Sequence, residues 1–145
     1  MIKHGVCITI GAIGGAIASL FGGWDTALIT LVISMAIDYV TGLIVAAVFH
    51  KSNKSATGGL ESSAGWKGIA RKFVTLCIVV IANYADKLVG STYIRDAVVI
   101  GFCANEFISI LENAGLMGLP IPKVLTRAID VLKQKSDDEE GHGDA

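Results

Sequence analysis

Six polar side chains interrupt what are otherwise long apolar runs in this 145-residue chain: Asp38, Asn83, Asp86, Asn105, Glu106 and Glu112. Carboxylates and amides set among Leu, Ile and Val suit acid–base catalysis, metal ligation, or the holding of helices and water inside a bilayer. The first two find no support. There is no HExxH, no GxxxxGK[ST] and no nucleophile-elbow pattern. His4, His50 and His142 fall in termini and loops, where they read as solvated side chains. Cys7, Cys77 and Cys103 lie in three separate apolar stretches without CxxC spacing, and read as small buried residues rather than ligands or disulfide partners. No enzyme, metal or cofactor is expected. The six polar groups either hydrogen-bond between helices or line a water-filled path. Asp38 and Glu106, mid-segment and charged in water, are the best candidates for the second role.

The elements that must position them are apolar helices. Hydrophobic residues make up 52% of the chain and charged ones 17%, and mean hydropathy is +0.62. Most of the charge sits at the amino end, in residues 50–72 and after residue 122, as expected of membrane segments separated by polar loops. The best-formed segment is 26–49, with Asp38 as its one charge. As a helix it is roughly 36 Å long, enough for a bilayer core of about 30 Å. Its twelve Leu, Ile, Val and Phe residues outweigh the insertion cost of a central Asp, about 2.5–3.5 kcal/mol. Ser34, Asp38, Gly42 and Ala46 share one face, so Asp38 should meet a neighbouring helix or water rather than lipid.

Three further spans are expected, over 5–24, 73–90 and 94–114. In the first, Gly11, Gly15, Ser19 and Gly23 recur every four residues and make a candidate packing face. A secretory leader with cleavage near Ala16-Ile17-Ala18 is the competing reading of that run, disfavoured by its glycines and its length. The span over 94–114 is the most polar, with a stripe of Gly101, Asn105, Ser109 and Asn113 flanked by Glu106 and Glu112, and it needs a bundle or water beside it. Residues 119–135, opening on Pro120-Ile121-Pro122, read as a short amphipathic interfacial helix. Residues 136–145 read as an acidic, disordered tail. The fold class is therefore an all-α integral membrane protein with four spans, or three, and one surface helix.

Residues 50–72 carry Lys51, Lys54, Lys67, Arg71 and Lys72 against Glu61 alone. This basic stretch should lie at the cytoplasmic membrane surface, which with four spans puts both termini in the cytoplasm. Its Ser/Gly-rich part, 53–65, reads as a flexible loop, and Trp66, Ile69, Ala70 and Phe73 as an amphipathic lead-in at the headgroups. A net charge of −1 gives no nucleic-acid signal.

Four stretches resemble a known family: Asp38-Tyr39-Val40-Thr41-Gly42, then Gly65-Trp66-Lys67-Gly68-Ile69-Ala70-Arg71-Lys72, then Asn105-Glu106-Phe107-Ile108-Ser109-Ile110-Leu111-Glu112-Asn113, then Gly118-Leu119-Pro120-Ile121-Pro122-Lys123. In this order they resemble the phage lysis and toxin-secretion holins over about residues 26–135; the first helix carries no matching motif. The resemblance implies a homo-oligomer in the bacterial inner membrane that opens a timed hole for an endolysin or a large toxin. Two other classes fit the composition, a small proton-coupled exporter and a membrane scaffold acting through residues 50–72. An exporter usually places a carboxylate in its first helix, and here that helix has none. Expression separates the three: a holin stops respiration abruptly, an exporter confers resistance, and a scaffold does neither.

Overall fold

Asp25 ends a tight connection and starts the best-formed helix, its carboxylate accepting from the Leu28 backbone N–H at 2.9 Å. The computed structural model describes residues 1–141, and these form five helices with no strand among them. They are α1 (Ile2–Leu20), α2 (Thr26–Ile44), α3 (Ser62–Val89), α4 (Ile94–Leu116) and α5 (Lys123–Gly141). A π-helical turn, Val45–Phe49, prolongs α2 and closes at His50, which takes a left-handed conformation. α1, α2 with its extension, and α3 are each long and apolar enough to cross a membrane. α4 is long but carries Arg95, Asp96, Glu106 and Glu112, and it stands between α2, α3 and α5.

Several boundaries differ from those the sequence suggests, each for a packing reason. α3 begins at Ser62 rather than near residue 73, so the amphipathic lead-in is its first turns and not a separate surface segment. Gly65 and Gly68, which favour a loop on propensity, are instead the places where α3 approaches the Tyr39 ring of α2. The polar loop shrinks to residues 50–61. It is closed by Ser52 N–H donating to Gly58 O at 2.9 Å and Ser55 Oγ to Gly59 O at 2.7 Å. α5 continues through the acidic residues to Gly141, because Ser136 Oγ donates to Ala97 O of α4 at 2.9 Å and anchors the later turns. His142 and the last three residues lie outside the described part.

α2 and α4 run parallel: Asp25 meets Arg95 near their starts, and Thr41 meets Asn113 farther along. α3 runs antiparallel to both, with Asp86 beside Arg95 and Lys72 beside Asp38. α5 runs back along α4, with Ile121 near Gly115 and Ser136 near Ala97. The apolar core comprises Leu28, Leu31 and Met35 of α2, Val79 of α3, and Val99 and Cys103 of α4. α1 buries no residue, and Gly11 and Gly15 have nothing near a position where a side chain would project. Its attachment is at its end, where Asn83 Nδ2 donates to Leu20 O at 2.9 Å.

That joint needs glycine at position 22. Gly22 has φ +81°, and a Cβ there would lie 2.6 Å from Asn83 Oδ1. Gly90 has a similar backbone, φ +72°, but open space around it. Gly22→Ala is expected to lower stability in detergent unfolding by about 1–3 kcal/mol from backbone strain plus the displacement of Asn83, and Gly90→Ala by the strain alone. Equal losses at the two positions would remove the Asn83 contact from the explanation.

Candidate functional site

Asp38 sits on the buried face of α2 with Ser34, about 20 Å along the helix from Asp25. A lone carboxylate there would be costly, and α3 and α4 each bring it a partner. Lys72 Nζ donates to Asp38 Oδ2 at 2.7 Å and to Glu106 Oε2 at 2.7 Å, with side-chain exposures of 19% for Lys72, 8% for Asp38 and 15% for Glu106. Asn113 Nδ2 lies 3.3 Å from both Asp38 Oδ1 and Asp38 O, and 2.9 Å from Thr41 Oγ1. One ammonium thus bridges two carboxylates across three helices.

The local sequence makes this closeness possible. Gly65, Gly68 and Lys72 fall at i, i+3 and i+7, so they share one face of α3. A Cβ at Gly65 would lie 3.4 Å from the Tyr39 hydroxyl and one at Gly68 3.5 Å from its ring. The two glycines let the Tyr39 ring lie against α3, and the next turn carries Lys72 to Asp38. Gly42 does the same for α4, lying 3.8 Å from Asn113 Nδ2 by the same measure. A cavity of about 290 Å³ opens between the cluster and the 50–61 loop. Lys54 of that loop reaches Ser109 Oγ at 3.5 Å. The chemistry this arrangement shows is ionic pairing between two acids and one ammonium.

A second cluster ties the opposite end. Arg95 donates through Nη1 to Asp25 Oδ2 at 2.7 Å and through Nη2 to Asp25 Oδ1 at 3.1 Å, a bidentate pair. Its Nε donates to Phe21 O. Asp86 accepts from Ser91 Oγ at 2.6 Å and from the backbone N–H groups of Ile94 and Arg95 at 3.0 and 2.9 Å, so it caps α4 from another helix. The Arg95 hydrogen bond holds the Asp25 carboxyl below its ordinary value of 3.8.

The residues singled out from sequence therefore separate. Asp38 and Glu106 meet in the first cluster, while Asn83 and Asp86 belong to the second. Asn105 and Glu112 are exposed on α4 and join neither. Lys51, Lys54, Lys67 and Arg71 are exposed. Lys72 is not one of these surface cations but the half-buried centre of the triad, because α3 is already helical when the chain reaches it. Gly11 and Gly15 stand open, and Ser19 Oγ bonds within its own helix to Ala16 O. Sequence reasoning missed Arg95 altogether. The available signal was topological: a cation at the start of α4 falls on the same side of the bundle as the acid that starts α2.

The fold and cluster define a helical membrane protein in which Asp38 and Glu106 are paired internally by Lys72. The family model described as the bacteriophage holin family matches residues 15–134, and the chain belongs to that family. An uncharacterised protein of Listeria innocua is 39% identical over 138 residues, covering 93% of each chain. An uncharacterised protein of Clostridium perfringens is 34% identical over 135 residues, covering 90% of this chain and 94% of its own. A protein of Bacillus phage phi105 named "Probable holin" is 32% identical over 121 residues, covering 83% of each. No solved structure matches.

Two outcomes follow from the clusters. Lys72→Leu leaves two acids facing each other without a counter-ion, and should destabilise the protein in detergent by about 3–5 kcal/mol. Asp38→Asn should cost roughly half of that or less, since Glu106 still neutralises Lys72 and the amide can still meet Asn113. If both substitutions cost the same, the shared ammonium is not what holds the cluster. At the other end, the folded-state Asp25 value is the lower one, so its stabilisation is present above about pH 4 and fades as pH falls through the depressed value. Unfolding curves of Asp25→Asn and the parent should therefore differ at pH 7 and converge at acid pH.

Proposed function

We propose that this protein accumulates in the bacterial inner membrane and then assembles into a timed hole through which a cell-wall hydrolase, or a large toxin, leaves the cell. Membership of the holin family supports a holin-like role, with membrane association and oligomerisation as its general features. The observation that carries the finer reading is the closed triad. With Asp38 and Glu106 both satisfied by Lys72, a folded subunit presents α2 and α3 to lipid without an unpaired acid and conducts nothing by itself. Assembly then has to create the water path, which makes opening cooperative and abrupt.

The orientation proposed places the 50–61 loop and the start of α3 in the cytoplasm, where Lys51, Lys54, Lys67 and Arg71 meet anionic headgroups. The open face of α1, with Gly11, Gly15 and Ser19, is the proposed contact between copies. Co-expression with an endolysin that has no export signal tests the reading. Culture turbidity should fall sharply after a lag, and Gly15→Leu, which adds bulk but no polarity, should lengthen that lag at equal membrane levels. Intact cells at full membrane expression of the parent would refute hole formation, and an unchanged lag in Gly15→Leu would take α1 out of the assembly.

A further inference from the structure

The face of α5 that points away from α4 carries charge near its middle. α4 lies at the depth of α2, since Arg95 meets Asp25 at one end and Asn113 meets Thr41 farther along. α5 lies at the depth of α4, since Ile121 is beside Gly115 and Ser136 beside Ala97. The stretch from Ile121 to Ser136 covers roughly 20 Å, about two-thirds of a bilayer core. Ile129 and Ser136 are buried against the bundle, while Arg127, Asp130, Lys133 and Lys135 are exposed, with Val124 and Val131 exposed beside Arg127 and Gln134 on the outer face. Long basic side chains can reach toward headgroups along their apolar stems. Asp130 cannot: its side chain is short, and it lies midway along this stretch. Elsewhere in the bundle the exposed groups of α2 and α3 include Ile33, Ile37, Val40, Val74 and Ile81, which suit acyl chains.

We infer that α5 forms the lumen wall of the assembled hole, its Arg127, Asp130 and Gln134 face in contact with water. α4 stands behind it, and α2 and α3 stand against lipid. This rests on the hole-forming reading and says which element is wetted. The stripe of α2 is not the wall, because Lys72 and Asn113 already occupy Asp38. One subunit cannot enclose water, so the occupant of this face is solvent surrounded by further copies of the same chain. Charges of both signs on the wall, Arg127 with Asp130 and Asp138, keep it wet without favouring one sign of cargo.

A disulfide lock tests the assignment in the full chain. With Cys7 and Cys77 replaced by serine and Cys103 by alanine, Gly101→Cys and Ser136→Cys are introduced together. A Cβ at Gly101 lies 4.0 Å from Ser136 Cβ, within the disulfide range of about 3.5–4.5 Å. Oxidation should cross-link the pair in proteoliposomes, and release of a trapped fluorescent dextran should stay within about twofold of the reduced protein. In the locked background, Gln134→Cys should react with a polyethylene-glycol maleimide at least tenfold faster than Ile33→Cys. Release that stops on oxidation and returns on reduction would overturn the inference, because α5 would then have to leave α4. Equal labelling at Gln134 and Ile33, or no cross-link in a protein that still releases dextran, would overturn it too. Absence of release from the cysteine-free parent would sink the hole itself and the wall with it. As a second variant independent of the lock, Arg127→Leu, Asp130→Leu and Gln134→Leu together alter exposed positions only. They should slow release threefold or more while the unfolding curve in detergent stays in place, and unchanged release would reject the wall.

Discussion

One ammonium between two carboxylates, where three helices meet, is the constraint on which the structure depends. Lys72 comes from α3, Asp38 from α2 and Glu106 from α4, so the triad is satisfied only when three helices hold one mutual register. An unpaired charge at that depth costs several kcal/mol, which makes a slip of one turn in any helix expensive. The glycines follow from this need. Gly65 and Gly68 bring α3 against Tyr39 so that Lys72 arrives where the acids are, and Gly42 leaves room for Asn113. Interactions between apolar side chains alone would set no such register, because lipid is as apolar as leucine.

The second cluster explains how a helix as polar as α4 is kept in place. Its first backbone N–H groups are taken up by Asp86, and Arg95 is held by Asp25 and by the Phe21 carbonyl. Both ends of α4 are thus fixed by polar contacts, with the Val79, Val99 and Cys103 core between them. α1 stands apart from this scheme. It is joined through the Phe21–Trp24 connection and the Asn83 contact, and it contributes nothing to the core. A helix attached at one end and bare along its length suits intermolecular rather than intramolecular packing, in line with the self-assembly general to holins.

A division of labour among faces emerges. Apolar side chains of α2 and α3 project from the bundle, charges near the middle are consumed by the triad, and the charges of α5 remain exposed. The α2 and α3 side of such a subunit is the one suited to lipid. In the proposed assembly its other side becomes inexpensive to expose, because water is present once several copies meet.

Much of this was legible in the residues themselves. The all-helical class, the 26–49 segment and the acid at its centre follow from hydropathy and from the 3.6-residue period, which are local properties. So do the four motif stretches that resemble holins, since each is a short run of fixed spacing. Local properties do not say which charge meets which. Lys67, Arg71 and Lys72 look alike as neighbours in a basic stretch, and only the rotation of α3 against α2 sends Lys72 inward while Arg71 stays exposed. Arg95 has the same history, unremarkable at the start of a helix until the connection after α1 brings Asp25 beside it. The acidic run after Lys135 is disfavoured for order by its composition, yet Ser136 on Ala97 holds it helical through Gly141. Pairing, register and depth are properties of three-dimensional packing, because a side chain's energy in a membrane depends on the partner it finds and not on its own identity.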